Sequence, residues 1–254
     1  MKRLTLLLLL LALLQPASQA QSFPLPQTTK QAGPQLPDWL LQFSNLPRED
    51  REQYLRAFNN AKLAYQQGEW VTCIGYLADC EIIFRHNPNV WNLRACCLME
   101  QRFFEEAEEE LQRVLKVQPD DPVTVMNLAN LQLALKRFQD SINTLQNLRS
   151  MLPYDTQEEL LQVLDFREFL CLIMLDRTAE ARELVKGLTP ISDTPLYYYS
   201  QAVFAMVAGN RQEAARMLRI ASSIFAKGNI LVPYQRALEH SGVADKISSP
   251  ATGN

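Results

Sequence analysis

The sequence predicts an all-α chain built from paired helices stacked as a solenoid. Two observations carry that prediction. The first is a repeat: Asn87-Pro88 opens one unit and Asp121-Pro122 opens the next, 34 residues further on. A fixed period of that length marks helix–turn–helix units that stack on one another. The second is patterning inside the units. Leu128, Ala129, Leu131 and Leu135 recur at helical spacing, and so do Phe138, Ile142, Leu145, Leu148 and Leu152.

The two units match position by position. Ala95 is answered by Ala129, Phe104 by Phe138, Leu111 by Leu145, Val114 by Leu148 and Pro119 by Pro153. The small residues mark where helices cross, because Ala95 and Ala107 have no bulk to hold backbones apart. Phe104 and Phe138 open the second helices and can wedge each pair. Asn87-Pro88, Asp121-Pro122 and Thr194-Pro195 each offer an N-cap followed by proline at the first helical position. Thr156 with Glu159 predicts a capping box at a further start.

The segment Trp91-Asn92-Leu93-Arg94-Ala95, followed by Phe104, Ala107, Leu111, Val114 and Pro119, resembles the tetratricopeptide repeat. The resemblance implies antiparallel helix pairs forming a right-handed superhelix with a concave groove. Counting outward by the small residue of each second helix gives Cys73, Ala107, Ser141, Ala181 and Ala214, in steps of 34, 34, 40 and 33. Five units are expected within residues 38–247, the fourth irregular, with an extended first helix and Phe169 where a small residue belongs. The stretch from Pro233 to Ile247 predicts a terminal capping helix.

The N-terminus predicts a signal peptide over residues 1–20. Lys2 and Arg3 precede an apolar run from Leu4 to Leu14, and Ser18-Gln19-Ala20 supplies a small-residue cleavage site. The apolar run is shorter than the roughly 20 residues of a membrane-spanning helix. Cleavage leaves 234 residues and moves the net charge from −3 to −5, since Lys2 and Arg3 depart. The chain is therefore expected to be exported, to the periplasm or outside the cell, with no membrane span after cleavage. Residues 21–37 carry Pro24, Pro26, Pro34 and Pro37 and read as an extended linker. Asp38 to Phe43 is a short apolar piece expected to pack on the first unit. Residues 248–254 read as a frayed tail.

No catalytic constellation is present: there is no Ser-centred elbow, no phosphate-cradling Gly loop and no paired-His motif. The acidic run Glu105, Glu106, Glu108, Glu109 and Glu110 reads as a solvated helix face. The acidic balance and the lack of a basic stripe disfavour nucleic acid. Five cysteines match no zinc spacing, and with only His86 and His240 available no metal or cofactor is expected. Cys73 and Cys80 read as small buried hydrophobes. A disulfide between Cys80 and Cys97 is conceivable in an oxidising compartment, and the odd count leaves a thiol free in any case.

The candidate site is the groove that the resemblance implies. Carried over unit by unit, its positions are Phe58, Lys62 and Tyr65, then Asn92, Cys96 and Met99, then Met126, Asn130 and Leu133. The irregular fourth unit supplies Phe166, Leu170 and Ile173, and the fifth Tyr199, Val203 and Met206. The set is mostly apolar, with Asn92 and Asn130 as polar handles for a peptide backbone; a carboxylate clamp is not supported. Its occupant is a partner peptide or helix, the chain's own Pro-rich segment or last helix, or a second copy. If the extended helix of the fourth unit and the terminal helix fill it, these residues are ordinary core. In the run Tyr197-Tyr198-Tyr199 no more than two rings can be buried. The leading function is a non-enzymatic protein-interaction scaffold in a bacterial cell envelope, with no small-molecule substrate. The alternative is a chaperone-like holder of a secreted or envelope protein.

Overall fold

The computed structural model describes residues 36–192, 194–226 and 229–244, and every regular element among them is helical. The expected signal peptide, residues 21–35 of the linker and the tail from 248 onward lie outside the described residues. The described residues fall into two compact units, 36–119 and 120–244.

The first unit opens with α1 (Asp38–Ser44) and continues with α2 (Arg48–Gln66), α3 (Trp70–Ile83), α4 (Pro88–Glu100) and α5 (Phe104–Val117). Helices α2 and α3 form one pair and α4 and α5 the next, with α3 packed on α4. The apolar piece α1 docks through Phe43, whose ring centroid lies 4.9 Å from Tyr54 and 5.6 Å from Phe84. Arg51 reaches back to donate to the carbonyl of Leu46 at 2.8 Å, satisfying an acceptor just past the end of α1. Across α3, α4 and α5 the Arg94 guanidinium bridges Glu81 at 2.6 Å and Glu110 at 3.0 Å. Arg113 lies 3.8 Å from the centroid of Trp91. Glu110 therefore departs from the solvated-face expectation for the acidic run, because Arg94 and Arg113 draw it against the helix pair.

The second unit contains α6 (Pro122–Ala134), α7 (Phe138–Met151), α8 (Glu158–Met174), α9 (Thr178–Leu184), a 3-10 turn (Pro190–Ser192), α10 (Pro195–Val207), α11 (Arg211–Ile224) and α12 (Val232–Ser241). Pairs form between α6 and α7, α8 and α9, and α10 and α11. Helix α8 runs 17 residues where α6 and α10 run 13. Phe169, wholly buried, meets Phe204 at 5.1 Å and Phe166 at 6.1 Å.

Three starts follow the N-cap-plus-proline pattern. Asn87 accepts from the Asn89 amide at 2.9 Å, Asp121 from Thr124 at 2.8 Å and Thr194 from Leu196 at 3.2 Å. The capping box at Thr156 does not form. The Thr156 hydroxyl donates to the Pro153 carbonyl, and α8 starts after Gln157 with no side-chain cap.

One local device recurs in every pair. Gly68, Arg102, Lys136, Asp176 and Gly209 all take φ between 60° and 78°, and their separations are 34, 34, 40 and 33. Each follows the first helix of its pair. The amide after it bonds back five residues: Glu69 to Ala64 and Phe103 to Leu98 at 2.9 Å, Arg137 to Gln132 at 2.8 Å, Arg177 to Leu172 at 2.9 Å and Asn210 to Ala205 at 2.8 Å. These are left-handed Schellman caps that satisfy orphan carbonyls and reverse the chain into the second helix. The short three-residue connections make each pair antiparallel.

The crossing points hold small residues as expected. Ala61, Cys73, Ala95, Ala107, Ala129, Ser141, Ala181 and Ala202 are all wholly inaccessible to solvent. Ser141 shows why the position tolerates a polar atom: its hydroxyl donates to the Ala129 carbonyl at 2.9 Å, so nothing is left unsatisfied.

Candidate functional site: the faces of the first helices

The groove positions sit on the first helix of each pair, three per helix. Tyr65, Met99, Leu133, Ile173 and Met206 each lend their carbonyl to the turn that ends the helix, so the repeated cap sets where this stripe stops. In the two units the stripes meet different surroundings.

In the unit 36–119, α2 and α4 lie side by side. Phe58, Lys62 and Tyr65 form one stripe on α2, and Asn92, Cys96 and Met99 the corresponding stripe on α4. Phe58, Lys62, Tyr65 and Cys96 are part-exposed, while Met99 and Asn92 lie beneath. The Lys62 ammonium stands 5.4 Å from the Phe58 ring centroid, a cation held against a π face. Burial also pulls the Lys62 pKa below its ordinary range. Tyr65 leans on Trp70 at 5.1 Å. Within this unit α2 and α4 pack mainly on α3, α5 and each other, α1 docks on α2 through Phe43, and the stripe keeps part of its exposure.

In the unit 120–244, the matching face is occupied. Helix α12 packs on α6, α8 and α10, all three first helices. Its Tyr234 ring lies 5.2 Å from Phe166 and 5.3 Å from Tyr199. Leu133, Phe166, Leu170, Ile173, Tyr199 and Val203 are buried in one cluster with Tyr234, Ala237 and Val243. Met126 is also buried, while Asn130 and Met206 keep part of their exposure. Here the stripe is core, and the chain's own last helix covers it. Tyr198 and Tyr199 are buried and Tyr197 part-exposed.

The polar handles are engaged. The Asn130 carbonyl oxygen accepts from Arg167 Nε, and Asn92 is 9% exposed and already partnered. Arg167 is a feature the sequence conceals. It lies between Asp165 and Glu168, a triplet that reads as solvated, yet Arg149 takes both carboxylates, at 2.6 and 3.5 Å. Arg167 instead turns inward and donates to Asn130 and, at 3.0 Å, to the Val163 carbonyl. Burial lowers its pKa. The missed signal is the helical wheel of α8, which puts residue 167 three positions before Leu170 and four after Val163, on the apolar side.

Among the described residues no cluster of His, Cys, Asp and Glu is arranged to hold a metal ion. No described helix is long and apolar enough to cross a membrane.

Residues 98–157 match the family model of the tetratricopeptide repeat. No curated protein matches the chain. Among solved structures, a thermophilic tetratricopeptide-repeat protein of Thermus thermophilus is similar at a TM-score of 0.55 and 16% identity, covering 73% of this chain and 99% of its own. MamA MSR-1 is similar at a TM-score of 0.47 and 16% identity, covering 80% of this chain and 100% of its own. The repeated caps, the buried small residues at the crossings and the likeness to the Thermus protein together give the chain the fold of tetratricopeptide-repeat proteins, with the repeat itself carried by residues 98–157.

Proposed function

We propose that this chain is an exported, non-enzymatic scaffold that binds a segment of another protein on the α2–α4 face of residues 36–119. The observation that supports it is the contrast between the two units. The face carrying Tyr199 and Val203 is closed by α12, whereas Phe58, Lys62, Tyr65 and Cys96 remain part-exposed. An apolar stripe of aromatic and sulfur-bearing side chains suits the hydrophobic side of an amphipathic helix or an extended segment. Lys62, half-buried against Phe58, favours an acidic or carbonyl group on that segment. Asn92 and Met99 shape the floor.

Export rests on the charged start, the apolar run and the small-residue site of residues 1–20. Fractionation with N-terminal sequencing tests it, the expected mature start being Gln21. The binding face is tested by capturing partners with the wild-type chain and with Phe58→Ala/Tyr65→Ala. Both rings also pack partly on the core, so the melting temperature of the variant is measured alongside and capture is compared where both chains are folded. A partner lost by the variant supports the assignment; a partner held with unchanged affinity moves the site elsewhere.

A further inference from the structure

We propose that Cys73 and Cys97 form an intrachain disulfide joining α3 to α4 when the chain meets a disulfide-bearing oxidant. Cys73 lies on α3 and Cys97 on α4, two helices packed directly on one another. Both residues are wholly buried in one apolar cluster. Each thiol is the strongest electrostatic neighbour of the other across the helix–helix seam.

The remaining cysteines are placed differently. The Cys80 thiol donates to the Tyr54 carbonyl at 3.8 Å, and burial pushes it up to about 12. Cys96, next to Cys97 on α4, is part-exposed. Cys171 belongs to the other unit. The pairing therefore falls on 73 with 97, not on 80 with 97 as the sequence left conceivable.

The neighbouring Cys73 thiol and burial push the Cys97 thiol up. Whichever of the two cysteines ionises first supplies the thiolate nucleophile, and the steps are the same with the two exchanged. Cys73 attacks one sulfur of the oxidant's disulfide and expels a thiolate, forming a mixed disulfide. Cys97 then loses its proton and attacks the Cys73 sulfur, expelling the second thiolate. The Sγ–Sγ bond forms, the chain loses two hydrogens, and the oxidant leaves as two thiols. Because both sulfurs are buried, exchange proceeds before α3 and α4 finish packing or during local opening. The link joins the second helix of one pair to the first helix of the next. That seam is one of the nearest-neighbour interfaces on which a stack of repeats depends.

The geometry stands apart from the export reading, which supplies the oxidising setting. For the test, the full chain is refolded in mixed oxidised and reduced glutathione, alkylated and peptide-mapped. The expected result is a Cys73–Cys97 linked peptide pair, a mass lower by two hydrogens, and Cys80, Cys96 and Cys171 alkylated. Its melting midpoint without reductant should lie on the order of 5 °C above that with reductant. The wild-type map needs no variant; Cys97→Ala should abolish both the link and the reductant sensitivity. Alkylation of both Cys73 and Cys97, or a link from Cys97 to Cys80, overturns the proposal. A linked chain recovered after refolding, alongside cell-derived protein that keeps residues 1–20, supports the disulfide and sinks only the export reading.

Discussion

The ring centroids of Tyr234 and Phe166 stand 5.2 Å apart, and through that contact the last helix seals the face on which α6, α8 and α10 converge. Tyr234 is 2% exposed and Phe166 wholly buried. Replacing Tyr234 by Ala removes a ring from a packed site and should cost about 3 kcal/mol. The three tryptophans, Trp39, Trp70 and Trp91, all lie in residues 36–119. Tryptophan fluorescence therefore follows that unit alone, while circular dichroism follows both. In denaturant, Tyr234→Ala should shift the dichroism transition more than the fluorescence transition. Equal shifts would mean that α12 does not act locally.

Arg167 sets a second expectation. Its guanidinium is 7% exposed and donates to two neutral acceptors, Asn130 and Val163; among the described residues no carboxylate pairs with it. A buried charge without a counter-ion costs desolvation that hydrogen bonds only partly return. Arg167→Ala should still destabilise by about 2 kcal/mol, through the void and the orphaned Asn130 oxygen. Arg167→Met with Asn130→Leu removes donor and acceptor together and should match or exceed wild-type stability. Equilibrium unfolding of the three proteins decides it: a double variant as unstable as Arg167→Ala would show that the charge itself stabilises the fold.

The repeated turn supplies a graded series. Arg102, Lys136 and Asp176 hold φ of 60° to 64° without being glycine, a conformation that costs an L-residue roughly 1 kcal/mol. Gly68 and Gly209 hold the same position without that strain. Lys136 is exposed, so Lys136→Gly should stabilise by up to about 1 kcal/mol, and Gly209→Ala should destabilise by about the same amount. Thermal melts of the two single variants read the signs directly; like signs would contradict the strain argument.

The period, the cap residues and the alanine crossings were legible because each is a local requirement written in consecutive residues. Asn87-Pro88 and Asp121-Pro122 announce helix starts whatever surrounds them. The left-handed turn position was half legible: Gly68 and Gly209 stand out, but Arg102, Lys136 and Asp176 do not, because the backbone cap at the helix end sets a conformation their side chains do not favour. The occupant of the first-helix faces was least legible. Tyr199 and Val203 have the same apolar character whether they wait for a partner or lie under α12, and the sequence separation between α8 and Tyr234 carries no periodic mark. Arg167 was hidden for a related reason: its neighbours Asp165 and Glu168 find their partner on α7, at Arg149, a pairing no local pattern encodes.

The pH response of the unit 120–244 offers a further check through Cys171. Its side chain is wholly buried on α8, and burial raises its pKa from an ordinary 9.0 to about 11, with the Ser141 hydrogen bond working the other way. Below pH 9 the thiol is protonated in both folded and unfolded chains and contributes no pH dependence. Between about 9 and 11 the unfolded chain releases the proton and the folded chain keeps it, so stability falls as pH rises. The slope is about 1.4 kcal/mol per pH unit. Cys171→Ala removes this term at the cost of a small void. With reductant present throughout, the stability advantage of wild type over Cys171→Ala should shrink by about 2 kcal/mol between pH 8 and 10.5. The other groups whose pKa burial raises, Tyr234 and Tyr199 among them, titrate in both proteins and cancel in the difference. Parallel stability curves across that range would show that the thiol at position 171 meets solvent in the folded chain, and the close packing of α8 against α7 would then need revision.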